Sequence, residues 1–389
     1  MIIERELYNR IAPLLESPEA IIVTGMRRVG KTTLLNYIFE QIKSDNKFFI
    51  DLENPANQQL FEERNYEQVL NNLKLLGLTT AQPAYVFLDE IQLVKNVPTV
   101  VKYLIDHHEI KFFMTGSASF YLKNLFSESL AGRKYIFELF PLSFGEFLQL
   151  KSSPLQMESL PAQITPAIFN QVDQYYHEYL QFGAFPGVVK KESAQEKKLM
   201  LEDIFSSYFH LDVSRLGDFR KSSVIRDLIF LLMERIGSTL EYNRLATELG
   251  VSRQTILNYI EFLESTYFIC RIPPFHRNRN LEIRKSPKCY LCDTGLVRHF
   301  SRASEGALFE NTIFNQLRQS GQLHFYRKKS GVEIDFLLDK KNAYEVKLSP
   351  APRDWNKLKT ICDELRISRF QIISRRYAEM PKVLYGFQL

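Results

Sequence analysis

Short apolar runs alternate with helix-spaced segments along the first 150 residues. Ala20-Ile-Ile-Val-Thr24, Lys47-Phe-Phe-Ile-Asp51, Ala84-Tyr-Val-Phe-Leu88, Ile110-Lys-Phe-Phe-Met114 and Tyr135-Ile-Phe-Glu-Leu139 are too short for helices. They are rich in β-branched and aromatic side chains, so they predict buried strands. The segments between them, such as Thr33-Leu-Leu-Asn-Tyr-Ile-Phe39, carry helical spacing. Strands alternating with helices predict an α/β fold, a parallel sheet with helices on both faces.

The pattern changes past residue 150. A Pro/Ser/Gln-rich linker from Lys151 to Pro166 leads into aromatic, mostly helical sequence. Leu240 to Gly250 reads as a helix stopped by its terminal glycine. Val251-Ser-Arg-Gln254 reads as a tight turn in which Ser252 can cap the next helix. Thr255 to Glu264 places Ile256, Ile260 and Leu263 on one face. Tyr267-Phe-Ile-Cys-Arg-Ile272 is strand-like, and helix, turn, helix, strand is a winged helix-turn-helix pattern. Farther on, Leu323–Arg327, Val332–Leu338 and Ala343–Lys347 read as three adjacent strands. No internal repeat and no low-complexity tract interrupts the chain.

Composition narrows the classes. The 389 residues call for two to four domains, and a hydrophobic fraction of 45% supplies their cores. The richest apolar run, Leu228 to Met233, is flanked by Asp227 and Glu234 and reads as a buried helix. No run approaches the ~18 apolar residues of a membrane span, and the start lacks an apolar leader, so a soluble cytoplasmic chain without a membrane partner is expected. A net charge of +5 tolerates a polyanionic partner without demanding one. Of four cysteines, Cys289 and Cys292 form a C-x-x-C with no second pair or histidine cluster nearby. They read as structural cysteines rather than zinc ligands.

The chemistry starts at Gly25-Met-Arg-Arg-Val-Gly-Lys-Thr32, which fits G-x-x-x-x-G-K-[ST] between a strand and a helix. Gly25 and Gly30 permit the tight turn that points successive N–H groups at phosphate oxygens. The backbone of Met26, Arg27, Arg28 and Val29 completes the expected cradle, and Thr33 continues it into the helix. Lys31 is expected to reach the β- and γ-phosphates of ATP, and the Thr32 hydroxyl to ligate Mg2+. The helix N-terminus adds a positive field at the same place.

Tyr85-Val-Phe-Leu-Asp-Glu90 ends a strand in two carboxylates. Asp89 is expected on the magnesium and Glu90 as the base for the attacking water. A third strand ends in Phe113-Met-Thr-Gly-Ser-Ala-Ser119, where Ser117, and after it Thr115, can contact the γ-phosphate or the water. Ser117 reads equally as a helix N-cap. Arg133 suits developing phosphate charge. It can act in its own site, in that of a neighbouring subunit, or simply be solvated.

Taken in order, GMRRVGKTT, YVFLDEIQ, FFMTGSAS and LAGRKYIFELFPLSFGEFL resemble the AAA-type P-loop ATPases of bacteria and archaea that carry a C-terminal restriction-endonuclease-like domain. Phe182-Gly-Ala-Phe-Pro-Gly187 and Lys285 to Leu296 resemble the same family, and the likeness spans nearly the whole chain. It implies a RecA-like core (1–150), a linker and helical lid (151–221), a winged helix-turn-helix (222–284) and an endonuclease-like α/β domain (285–389).

The last domain holds a second constellation. Side chains two apart on a strand share a face, so Glu333 points with Asp335, and Glu345 with Lys347. If the strands pair, Asp335 and Glu345 can share a second divalent metal while Lys347 stabilises the attacking water or the phosphate. This resembles the D…E-x-K core of restriction-endonuclease-like nucleases. Glu310 matches the acidic residue which such folds place beside the metal. An inactive domain of the same fold, or a charged strand face, fits the residues too.

The winged element offers Arg253 against Glu261 and Glu264. Denser basic sequence follows at Arg277, Arg279, Arg284, Lys285 and Lys288, against a lone Glu282. DNA binding and packing within the chain both remain open for it. Three classes follow: an ATPase switch acting on nucleic acid, an ATP-gated nuclease, or a nucleotide-dependent scaffold. A homo-oligomer or a protein partner fits each.

Overall fold

A computed structural model describes residues 3–116, 130–157, 160–161, 163–213, 222–276, 282, 285–328, 330–380 and 382–389. The chain divides into two compact units. One is Met1–Pro141 with Ser265–Tyr267, the other Leu142–Glu264 with Phe268–Leu389.

The five apolar runs of the first unit form β1 (Ala20–Thr24), β2 (Lys47–Asp51), β3 (Tyr85–Asp89), β4 (Lys111–Gly116) and β5 (Lys134–Glu138). All pair in parallel, in the order β2-β3-β4-β1-β5. Every residue of β1, β3 and β4 is buried, because the sheet is covered on both faces. This explains why their sequences read as continuous apolar runs rather than as alternation. A short helix α1 (Tyr8–Ile11) precedes the sheet; α2 (Lys31–Gln41), α3 (Pro55–Phe61), α4 (Tyr66–Leu75) and α5 (Val97–His108) follow. Asn54 and Asn65 cap α3 and α4, accepting from the amides of Ala56 and Glu67 at 3.0 and 3.1 Å. One side of the sheet is sealed by Ile22, Leu52, Leu88, Val100, Phe112 and Met114. On the other, the rings of Phe87 and Phe113 stack with centroids 4.6 Å apart. The chain leaves β1 for β2 at one edge and returns from β4 to β5 at the other. The order therefore reverses beside β1 and opens a crevice at the carboxyl ends of the strands.

The second unit opens with α6 (Phe144–Leu150), held by a reciprocal cap between Ser143 and Glu146. The long α7 (Pro166–Phe182), the short α8 (Pro186–Val189) and α9 (Ala194–Ser207) follow. Next come α10 (Ser222–Glu234), α11 (Tyr242–Leu249), α12 (Arg253–Ser265) and the antiparallel pair β6 (Ile269–Ile272) and β7 (Lys288–Leu291). Leu228, Ile229, Leu232 and Met233 of α10 are buried, as its apolar run implies. Gly250 ends α11 in the left-handed conformation, and the Ser252 hydroxyl accepts from the Thr255 amide at 3.1 Å to start α12.

Helices α13 (Thr294–Phe300) and α14 (Glu305–Leu317) then lead into a mixed sheet, β12-β11-β10-β9-β8. Its strands are β8 (Leu323–Arg327), β9 (Glu333–Leu338), β10 (Asn342–Lys347), β11 (Arg369–Ser374) and β12 (Val383–Tyr385). Strands β8, β9 and β10 form an antiparallel meander. The amphipathic α15 (Pro352–Leu365) makes the crossover that lets β11 run parallel to β10.

The two later family-like strings meet each other. Buried Asp293 caps α13 through the Leu296 amide at 3.2 Å and accepts the Ala184 amide at 2.7 Å. A Cβ on Gly183 would lie 2.0 Å from that carboxylate, and one on Gly295 2.1 Å from the Phe182 carbonyl oxygen, so only glycine fits at either place. Cys289 and Cys292 are buried free thiols whose pKa burial raises, the environment of structural cysteines. Among the described residues no helix is long and apolar enough to cross a membrane.

Candidate functional site

The carboxyl ends of β1, β3 and β4 bring the expected phosphate machinery together. Gly25 leaves β1 with φ of 154°, and a Cβ there would lie 2.2 Å from the Leu139 carbonyl oxygen. Gly30 is left-handed at the N-cap of α2. The side chains of Met26 and Val29 turn into the core at 2% and 0% exposure, leaving their backbone to the loop. Arg27 is half-buried, while Arg28, Thr32 and Thr33 are exposed. Lys31 is buried in the first turn of α2, and its Nζ donates to the Gly25 and Met26 carbonyls, both at 3.0 Å. The ammonium thereby sits at the centre of its own loop.

Asp89 is 4% exposed at the end of β3. The Thr115 hydroxyl from β4 donates to Asp89 Oδ1, and the Glu90 amide donates to the same oxygen at 3.2 Å. Burial pushes the Asp89 carboxyl above its ordinary pKa. The hydroxyls of Thr115 and Thr32 pull it back, and the charges of Glu90 and Asp51 push it up again. A buried carboxylate within reach of a threonine hydroxyl and beside two further acids is a setting that a divalent cation relieves. The donor set fits Mg2+. Glu90 adopts φ of 55°, rare outside glycine, where the chain turns off β3, and Gln92 donates to its carboxylate.

One expectation changes here, that of Arg133. Ser117 lies outside the described residues. Arg133 stands immediately before β5, level with Ala20, whose amide donates to the Arg133 carbonyl at 2.9 Å. Since β5 runs parallel to β1, Arg133 is at the amino edge of the sheet, the full length of β1 from the phosphate loop. Five residues of strand span about 16 Å. Its guanidinium pairs with Asp106 of α5, so it does not serve this chain's own phosphate site.

Sequence reading missed Arg5. It is 7% exposed and donates to Val29 in the loop and to Phe140 beyond β5, each at 2.8 Å, tying the loop to the following segment. An arginine before the first strand carries no local signal for this.

With this geometry in place, comparison with known proteins adds the family. Residues 17–148 match the model of the AAA domain family. The N-terminal unit is an AAA-type P-loop domain. Residues 173–306 and 305–383 match two domain families of unknown function. An uncharacterized protein of Methanocaldococcus jannaschii is 27% identical, the match covering 92% of this chain and 80% of that one. One of Haemophilus influenzae is 25% identical over 82% of this chain and 79% of its own. Similar solved structures include the Aeropyrum pernix ORC1 protein in complex with DNA, at TM-score 0.33 and 11% identity, covering 80% of this chain and 94% of that one. Thermotoga maritima RuvB gives 0.34 and 17%, covering 70% and 91%. The family match and the loop geometry, not these loose superpositions, support the AAA-type assignment.

The second constellation assembles differently from expectation. Asp335 (9% exposed) and Glu345 (5%) occupy neighbouring antiparallel strands. Asp335 Oδ2 accepts the Val346 amide at 2.8 Å, and Lys347 Nζ donates to Glu345 Oε1 at 2.6 Å. Burial, and after it the Asp335 charge, push the Glu345 carboxyl up to about 7, with Lys347 opposing. Asp335, Glu345 and Lys347 thus converge. Glu310 stands beside Asp335, whose charge after burial raises its pKa, and its Oε1 accepts Lys288 Nζ at 2.9 Å and the Tyr290 hydroxyl at 2.6 Å. Among the described residues no group of three or more His, Cys, Asp or Glu is arranged to hold a metal ion. The expected ligands Glu310, Asp335 and Glu345 are thus brought near one another, but with the ammonium of Lys288 among the acids, which the sequence reading did not foresee.

Of the basic run, one residue departs from the expectation. Lys288 is 2% exposed and faces carboxylates rather than solvent. Glu282 pairs with His324 at 2.8 Å and Lys340 at 3.0 Å. Lys285 is exposed, while Arg277, Arg279 and Arg284 lie outside the described residues. Glu264 of α12 is neutralised by Arg271 of β6, which donates to it through Nε at 2.8 Å.

Proposed function

We propose that this chain binds ATP with Mg2+ and hydrolyses it, as a nucleotide-driven switch that acts on nucleic acid. The observation that carries the reading is the meeting of Lys31, Thr32, Asp89, Glu90 and Thr115 at one carboxyl edge of a parallel sheet. Lys31 exchanges its two loop carbonyls for phosphate oxygens, and the loop amides hold the β- and γ-phosphates. Thr32 and Asp89 would hold the magnesium, which would supply positive charge to the transferred phosphoryl group. Glu90 takes a proton from water as that water's oxygen bonds to the γ-phosphorus and the bond to ADP breaks. Thr115 keeps Asp89 and the turn at Glu90 in register. Magnesium-dependent ATP turnover tests this, and its absence in the purified chain would refute it.

The nucleic-acid half rests on the second unit. Helices α11 and α12 with β6 and β7 support a winged helix-turn-helix reading. The N-terminus of α12 exposes Ser252, Arg253 and Gln254, and its acidic Glu264 is already paired with Arg271. Duplex DNA that raises ATP turnover at low salt supports the switch. No retention of DNA at low salt would make the chain a nucleotide-dependent protein scaffold. The convergence of Asp335, Glu345 and Lys347 supports kinship with nuclease folds, but the ammonium of Lys288 beside Asp335, with no metal-holding group among the described residues, weighs against ATP-gated cleavage.

A further inference from the structure

Lys288 is the least expected residue of the second unit. It starts β7, which pairs with β6 and not with the five-stranded sheet, yet its side chain reaches the acids of that sheet and of α14. Its Nζ lies 2.9 Å from Glu310 and 3.8 Å from Asp335, and forms an ion pair with Glu333. The Phe325 ring closes the remaining side, its centroid 5.6 Å from the ammonium. Burial disfavours the ammonium, but the charges of Glu310, Asp335 and Glu333 outweigh it and keep Lys288 protonated well above its ordinary pKa.

The acids are committed elsewhere too. Tyr290 holds Glu310, Arg327 pairs with Glu333, and the Val346 amide holds Asp335. A Cβ on Gly237 would lie 3.3 Å from Glu310 Oε1, so backbone packs closely against that carboxylate. A divalent cation needs several free oxygens converging at about 2.0–2.6 Å, with room for water. Here four carboxylates, of Glu310, Glu333, Asp335 and Glu345, face the cations Lys288, Lys347 and Arg327 of the same chain.

We infer that Lys288 is a tethered counter-ion which takes the cation position of this carboxylate cluster, so that the cluster locks the β6–β7 pair to the C-terminal sheet instead of holding a divalent metal. Removing one partner of a buried ion cluster leaves uncompensated charge and costs far more than the cluster itself contributes. Without Lys288 the acids would repel one another, and a divalent ion would become the means of relief.

The test uses the full chain without nucleotide, with Mn2+ as the probe. Wild type and Asp335→Asn should bind the same amount of Mn2+ at millimolar concentration. Lys288→Ala should melt about 10 °C lower. Millimolar Mn2+ should recover part of that loss, and adding Asp335→Asn should abolish the recovery. One equivalent of Mn2+ bound by wild type and lost in Asp335→Asn would overturn the inference. So would a Lys288→Ala chain that melts as wild type does. Should Lys288→Ala fail to fold, the comparison of wild type with Asp335→Asn still decides. ATP turnover does not enter the readout, so this inference and the ATPase reading fail separately.

Discussion

The Thr115 hydroxyl donates to Asp89 Oδ1 across neighbouring strands β4 and β3. The same carboxylate receives the Glu90 amide, so one acid fixes both a strand end and the turn that aims the next residue. The site therefore rests on the sheet itself.

Lys31→Ala removes the charge at the centre of the phosphate loop. Its two carbonyl contacts are local, so the loss to stability should be about 1 kcal/mol. ATP binding should fall by at least about 100-fold, while the melting temperature moves by a few degrees. Fluorescent-nucleotide titration beside calorimetry checks this, and binding at the wild-type level would remove the P-loop assignment.

Arg133→Ala should leave the turnover of the isolated chain within about 2-fold of wild type, because the residue belongs to the amino edge of the sheet and pairs with Asp106. Turnover measured across a range of protein concentrations decides. A loss of about 1,000-fold that appears only where chains associate would assign Arg133 to a neighbouring subunit's site.

Asp293 gives a pH signature. Burial raises its carboxyl to about 6, although the amides of Ala184, Leu296 and Gly295 favour the charged form. Between the ordinary aspartate pKa and about 6 the folded chain holds the proton that the unfolded chain has released. Stability from this group is therefore fully present below about 4 and is lost as pH rises through about 6, by up to roughly 3 kcal/mol. Asp293→Asn lacks this slope. The difference between wild-type and variant denaturation midpoints should shrink from pH 4 to pH 7, and a gap that widens would contradict the assignment.

What the sequence made legible follows from where each signal resides. The first sheet was readable because burial on both faces turns its strands into continuous apolar runs. The phosphate loop was readable because its glycines, lysine and threonine are adjacent. Strands β11 and β12 escaped: Arg369-Phe-Gln-Ile-Ile-Ser374 mixes exposed and buried positions, and Val383–Tyr385 is only three residues long. Lys288 read as one more cation in a basic run because Glu310, its first partner, lies 22 residues away. Arg133 stayed open among three roles because spacing shows that it precedes a strand, but only topology shows at which edge of the sheet that strand begins.

The central claim is that the meeting of loop and acidic strand hydrolyses ATP with Glu90 as base. The most direct measurement is ATP turnover with magnesium for wild type and Glu90→Gln, paired with the amount of ATP each retains. The account predicts that the variant keeps ATP as wild type does and turns it over about 10²–10⁴-fold more slowly. Equal turnover by the two proteins, or no magnesium-dependent turnover by wild type, would contradict it.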